Sequence, residues 1–136
     1  MTTVYNDDIL FFDGINVLDL ALSNQTPFYL YSEKIITNNF LAYQKSFKDN
    51  PHLICYSVKA NSNLSILSLL AKLGSGFDIV SGGELSRVIQ AGGDPSKTVF
   101  SGVGKTEEEI KFALSKNIMC FNIESRDELR TINTIA

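Results

Sequence analysis

The run Leu53-Ile54-Cys55-Tyr56-Ser57-Val58-Lys59-Ala60-Asn61 decides the fold. Its first five residues are apolar and β-prone. A helical pattern of Leu64, Leu67, Leu70 and Ala71 begins a few residues later. A strand that hands over directly to a helix is the building unit of a parallel sheet. The unit recurs on both sides. Further β-prone runs at 28–31, 77–80, 98–101 and 119–122 put successive strand starts about 21 to 25 residues apart, with helical periodicity between them. Ile36, Phe40, Tyr43 and Phe47 mark one face of the first helix, and Leu85, Val88 and Ile89 one face of the third. Gly74 is placed to end the second helix in the left-handed conformation.

Helix starts repeat a single device. Ser81 with Glu84, Thr106 with Glu109 and Ser125 with Glu128 each fit the capping box, in which hydroxyl and acid exchange bonds with two orphan amides. Strand–helix alternation of this kind implies right-handed βαβ units. Two architectures satisfy it: a five-stranded doubly wound domain, and the first five units of a (β/α)8 barrel, which normally takes about 250 residues. Length favours the doubly wound domain. Ahead of the repeat, 9–13 reads as a strand and 17–22 as a short helix. Residues 1–25 are therefore expected to form a leading segment apart from 26–136.

Bulk properties narrow the function. The chain is 44% apolar and 20% charged, which excludes a disordered or fibrous chain. A net charge of −3 gives nucleic acid or an anionic membrane nothing to bind. Apolar runs stay well short of the roughly 20 residues that cross a bilayer. Residues 1–8 carry acids and no basic cluster, against a secretory signal. A cytoplasmic location is expected. Cys55 and Cys120 read as buried free thiols, and the single histidine, His52, leaves no ligand set for a metal.

Two glycine motifs fail as nucleotide sites. Gly104-Lys105-Thr106 lacks the earlier glycine of a phosphate loop, because Val99 stands there; it reads as a threonine-capped helix start. Gly74-Ser75-Gly76 precedes its strand, and Ile79 holds the place of the third glycine.

Lys59 and Asp78 carry the chemistry. Lys59 follows the C-terminal end of its strand, the end that faces the active site in α/β folds. Alternation puts Cys55, Ser57 and Lys59 on one side. A lysine in a partly dry site is a better nucleophile towards a carbonyl. The plain alternative is a lysine that ends a strand and reaches water. Asp78 lies inside an apolar strand and needs a cation or several donors. Lys59 and the backbone amides of the next loop are its candidate partners.

These residues sit in a series of motifs that resembles the fold type III pyridoxal-phosphate (PLP) decarboxylases, and within them the diaminopimelate decarboxylases. The matches run in order: Thr26-Pro27-Phe28-Tyr29-Leu30-Tyr31, Tyr56-Ser57-Val58-Lys59-Ala60-Asn61, Gly74-Ser75-Gly76-Phe77-Asp78 through Leu85, Phe100-Ser101-Gly102-Val103-Gly104-Lys105-Thr106, and Asn122-Ile123-Glu124-Ser125. The Ser-Gly-Val-Gly-Lys-Thr stretch is similar to the diaminopimelate enzymes rather than the ornithine enzymes. The resemblance implies a (β/α)8 barrel of alanine racemase type, here about its first five βα units. It implies that Lys59 holds PLP as an internal Schiff base, with Asp78 a supporting cofactor-site residue. It further implies conversion of meso-2,6-diaminopimelate to L-lysine and CO2, and a homodimer in the full-length form. The family's ring-stacking histidine, glycine-rich phosphate cradle, glutamate facing the pyridine nitrogen and β-rich second domain match no part of these 136 residues. The chain alone is therefore expected to be inactive, and either unstable or self-associating or a fragment of a longer protein; residues 1–25 are expected to pack with that second domain. The other readings are a non-catalytic relative that binds a family enzyme, an ornithine, arginine or carboxynorspermidine decarboxylase, and a self-contained signalling or nucleotide-binding module.

Overall fold

A computed structural model describes residues 3–136. The chain divides into two compact units, Met1–Ala42 and Tyr43–Ala136.

The first unit opens with an antiparallel sheet in the order β1-β2-β3: β1 (Thr3–Asn6), β2 (Ile9–Phe12) and β3 (Ile15–Asn16). Both connections are two-residue turns with positive φ at each position, Asp7-Asp8 (48° and 62°) and Asp13-Gly14 (52° and 82°). That twist suits tight hairpins. α1 (Val17–Ser23) follows, capped by the Asn16 side chain, which accepts from the Leu18 amide at 2.9 Å. The expected strand at 9–13 and helix at 17–22 both form, while β1 and β3 are additions. Ser32 starts α2 (Glu33–Ser46): its hydroxyl accepts from Ile35 N at 3.1 Å and donates to Asp13 Oδ2 at 2.8 Å.

One expected strand is absent. Residues 28–31 join no ladder, and Tyr29 is 90% exposed. β-propensity reports an extended preference, whereas a strand exists through its cross-strand bonds. The parallel sheet therefore has four strands among the described residues, not five.

The second unit alternates β4 (Cys55–Ser57), a 3-10 turn (Val58–Ala60), α3 (Leu64–Lys72), β5 (Gly76–Ile79), α4 (Gly82–Gln90), β6 (Thr98–Phe100), α5 (Glu107–Ser115), β7 (Cys120–Phe121) and α6 (Arg126–Ile135). All three pairings are parallel, and the order β4-β5-β6-β7 follows the sequence. A doubly wound sheet reverses its order at a switch point and carries helices on both faces. Here the order never reverses, so right-handed crossovers put every helix on the same side. This is the wall of a (β/α)8 barrel.

The two faces of the sheet differ as a barrel wall requires. Phe77, Ile79, Thr98 and Phe100 are completely buried, beneath helices that contribute Leu67, Leu85, Val88 and Ala113, also completely buried. Each large apolar side chain among them contributes about 1.5–3 kcal/mol through burial. The register Cys55↔Gly76, Ser57↔Asp78 and Val99↔Cys120 defines the other face. It is small, polar and partly open. Cys55 is half-buried and Cys120 exposed, where both were expected buried, because no helix covers this side.

Helix ends follow local rules. α3, α4 and α5 end alike: Gly74 (φ 86°), Gly92 (φ 84°) and Asn117 (φ 54°) turn left-handed. The following amides return to Leu70 O at 3.0 Å, Val88 O at 2.9 Å and Ala113 O at 3.4 Å, the Schellman pattern. At the starts, only Thr106 and Glu109 complete a capping box. Ser81 and Ser125 cap as expected, but Glu84 and Glu128 reach one residue further back, to Val80 N at 2.8 Å and Glu124 N at 2.7 Å.

Candidate active site

The C-terminal ends of the four parallel strands meet in one hydrogen-bonded chain. Ser57, last in β4, donates from Oγ to Asp78 Oδ2 at 3.3 Å. Ser101, just past β6, donates to Asp78 Oδ1 at 2.5 Å. Asn122, just past β7, donates from Nδ2 to Ser101 Oγ at 2.9 Å. Parallel pairing makes this contiguous, because Ser57 and Asp78 are register partners on the open face. Asp78 is thus held by two hydroxyls. Neither expected partner serves it: Lys59 forms no ion pair among the described residues, and no loop amide reaches its carboxylate there.

Lys59 lies in the turn Val58–Ala60, two residues beyond Ser57. The strand gives way to a turn here, yet the expected sides hold: Val58 is completely buried, while Lys59 lies on the open side and is exposed rather than partly dry. Tyr56 ties the turn from below, its hydroxyl donating to Asn61 O at 3.2 Å.

Lys105 is the other lysine at this rim of the second unit, and it is fully engaged. Its ammonium donates to Gly102 O at 2.6 Å, Asn122 O at 2.9 Å and Glu128 Oε1 at 2.5 Å, with its side chain 0% exposed. It stands 5.7 Å from the centre of the Phe100 ring. Thr106 beside it caps α5, so Gly104-Lys105-Thr106 is a helix start, as its sequence indicates. Glu128 is held below the ordinary carboxylate range: desolvation opposes this, and the Lys105 ammonium with the Glu124 amide outweighs it. Burial, then the negative charge of Asp78, pushes the Cys55 thiol up. Cys55 therefore stays a protonated, poor nucleophile at neutral pH.

The rim thus offers one exposed primary amine without an ion pair and one carboxylate fixed by hydroxyls, on a face of small side chains. The sequence singles out Lys59 and Asp78, and both lie at this rim. Ser57, Ser101, Asn122, Lys105 and Glu128 join them there only through the fold. Their shared signal is position, at or just beyond a strand's C-terminal end.

Fold and site together define a (β/α)8-barrel segment built for chemistry at the C-terminal mouth of its strands. Residues 33–136 match the family described as "Pyridoxal-dependent decarboxylase, pyridoxal binding domain". The chain belongs to that family. It is 57% identical over 130 residues to a diaminopimelate decarboxylase of Vibrio cholerae, covering 96% of this chain and 31% of that protein. Among solved structures, diaminopimelate decarboxylase from M. jannaschii, in co-complex with L-lysine, superposes with a TM-score of 0.94 at 40% identity, over 98% of this chain and 32% of its own. The Helicobacter pylori enzyme complexed with L-lysine superposes at 0.86 with 54% identity, over 88% and 30%. The chain therefore spans about a third of the length of the relatives it matches.

Proposed function

We propose that this chain is the N-terminal segment of a PLP-dependent decarboxylase that converts meso-2,6-diaminopimelate to L-lysine and CO2, with Lys59 as the residue that bonds the cofactor. One observation carries this: Lys59 is the exposed rim lysine with no ion pair, while Lys105 has every N–H committed. The donor set fits the cofactor, which needs a primary amine for its carbonyl and a fixed charge pattern around it. When bound, PLP supplies the electron sink for the bond broken as CO2 leaves.

The chain's own residues hold and orient. Lys59 would tether the cofactor through Nζ. Ser57 and Ser101 fix both oxygens of Asp78. The carboxylate then presents a stationary negative charge to cationic groups of the cofactor or the substrate. Diaminopimelate is favoured as substrate by the names of relatives at about half identity or more. Residues 1–25 are assigned to packing with the β-rich second domain of the full-length protein, which works as a cytoplasmic homodimer.

The test is cofactor trapping. The protein is incubated with PLP and reduced with borohydride, and the modified peptide is mapped. Label concentrated on Lys59 and lost in Lys59→Arg is the expected result. Label spread evenly over the lysines overturns the assignment. Release of CO2 from diaminopimelate, ornithine and arginine by the full-length protein then ranks the substrates.

A further inference from the structure

We propose that the buried Lys105–Glu128 pair is a positioning device for the reaction, setting Asp78 through Asn122 and Ser101. The proposal rests on the decarboxylase reading of the same rim. Six residues form one contiguous series, linked through side chains except at the Asn122 backbone carbonyl. Glu128 holds Lys105 at 2.5 Å. Lys105 holds the Asn122 carbonyl at 2.9 Å. The Asn122 amide donates to Ser101 Oγ, and Ser101 donates to Asp78, which Ser57 also serves.

Hydrogen-bond inventory fixes the direction of this series. An ammonium has three donors and no acceptor. Lys105 uses all three, on Gly102 O, Asn122 O and Glu128 Oε1. A hydroxyl has one proton. Because Asn122 donates into Ser101 Oγ, the serine proton is committed to Asp78 Oδ1. Without Lys105 the Asn122 backbone would keep only its own amide bond to Phe100 O at 2.9 Å, so its side chain could turn away and Ser101 could then donate elsewhere. Asp78 would keep only the longer bond from Ser57 at 3.3 Å.

Location argues against a purely stabilising role. A buried ion pair gains little over apolar residues of the same volume, and its better-attested use is specifying one arrangement. This pair borders the Phe77–Phe100 core, with the Lys105 ammonium 5.7 Å from the Phe100 ring, yet every group it bonds lies at the rim. It joins the loop after β6 to the loop after β7 and the first turn of α6, all at the rim that carries Lys59. Converging three acceptors on one nitrogen also suits an ammonium rather than the planar fork of an arginine.

The experiment compares Lys105→Met, Asn122→Ala and the double variant in the full-length, PLP-loaded protein. Each single variant is expected to lower kcat on diaminopimelate by about ten- to a hundredfold, the scale of a small misplacement of a reacting group. KM is expected to stay within about twofold, since ground-state binding is untouched. The double variant is expected to be no worse than the more impaired single one, because both act through one series. In cofactor-free protein, Lys105→Met is expected to shift the Asn122 side-chain amide resonance. A kcat within about twofold of wild type for Asn122→Ala overturns the proposal, as do losses that multiply in the double variant or an unmoved Asn122 resonance. Should Lys105→Met fail to fold, Asn122→Ala decides alone, since Asn122 is exposed. Absence of Lys59 label in wild type would sink the decarboxylase reading instead, and the Asn122 resonance would still report on the series.

Discussion

Glu109 joins two helix starts, and its removal tests how the rim is braced. Its Oε1 accepts from Gly82 N at 2.8 Å, the first turn of α4. Its Oε2 accepts from both Thr106 N and Thr106 Oγ1 at 3.0 Å, at the cap of α5. Gly82 allows this approach: a Cβ there would meet Glu109 Cγ at 3.1 Å. Hydrogen bonds to a charged group contribute about 1.5–3 kcal/mol each when buried. Glu109 is only half-buried and water can replace part of the Thr106 contact, so the total is discounted to about 2 kcal/mol. In the full-length protein, Glu109→Ala should then lower the urea midpoint by roughly 0.5 M for a slope of about 4 kcal/mol per M, since the slope rises with size.

The pH dependence has a definite sign. The Gly82 amide first, and the Thr106 amide next, hold Glu109 below the ordinary carboxylate range. A group whose folded value is depressed contributes fully above its unfolded value, about 4.3, and loses the contribution as pH falls through the folded value. The gap between wild type and Glu109→Ala should therefore be widest at neutral pH and shrink in acid. Urea titrations followed by far-ultraviolet circular dichroism at both pH values measure it. A gap below about 0.5 kcal/mol at neutral pH, or one unchanged in acid, would refute the bracing role.

Two further outcomes are expected. Gly93→Ala should cost about 1–3 kcal/mol by overpacking, since its Cβ would lie 2.6 Å from Val88 Cγ1 and 2.8 Å from Phe77 Cε2; thermal denaturation beside a Gly104→Ala control, where a Cβ meets nothing within 4 Å, measures it. The 136-residue chain expressed alone should self-associate through the outer edges of β4 and β7 and the uncovered sheet face, and analytical ultracentrifugation showing a monomer with one sharp unfolding transition would count against this.

What could be read in the sequence was what local rules govern. Helix starts at Ser81, Thr106 and Ser125 and the stop at Gly74 follow from side-chain caps and left-handed turns, and all four are found. The Asp13-Gly14 hairpin was equally local, and its dipeptide was the signal that went unused. Pairing was less legible. Residues 28–31 look as strand-like as 77–80, yet only the latter finds neighbours. Length favoured the doubly wound alternative, and only the unreversed order of β4 to β7 excludes it. In the site, Lys59 and Asp78 were legible as a lysine and an acid at strand ends. Their expected mutual pairing was not found, because a parallel register brings Ser57, not a residue of the following turn, beside Asp78. Lys105 looked like a failed phosphate motif. Its engagement with Asn122 and Glu128 spans 17 and 23 residues, beyond any local pattern.

The uncovered face of the β4–β7 sheet has an evolutionary consequence. Residues that fill the helix-covered side and residues of the open face alternate along the same strands, so neighbours in sequence answer to different selection. Substitution at Ser57, Val99 or Ser101 changes the open face while Tyr56, Thr98 and Phe100 keep the scaffold intact. A lineage can thus revise its chemistry one alternate residue at a time without first having to survive a loss of folding.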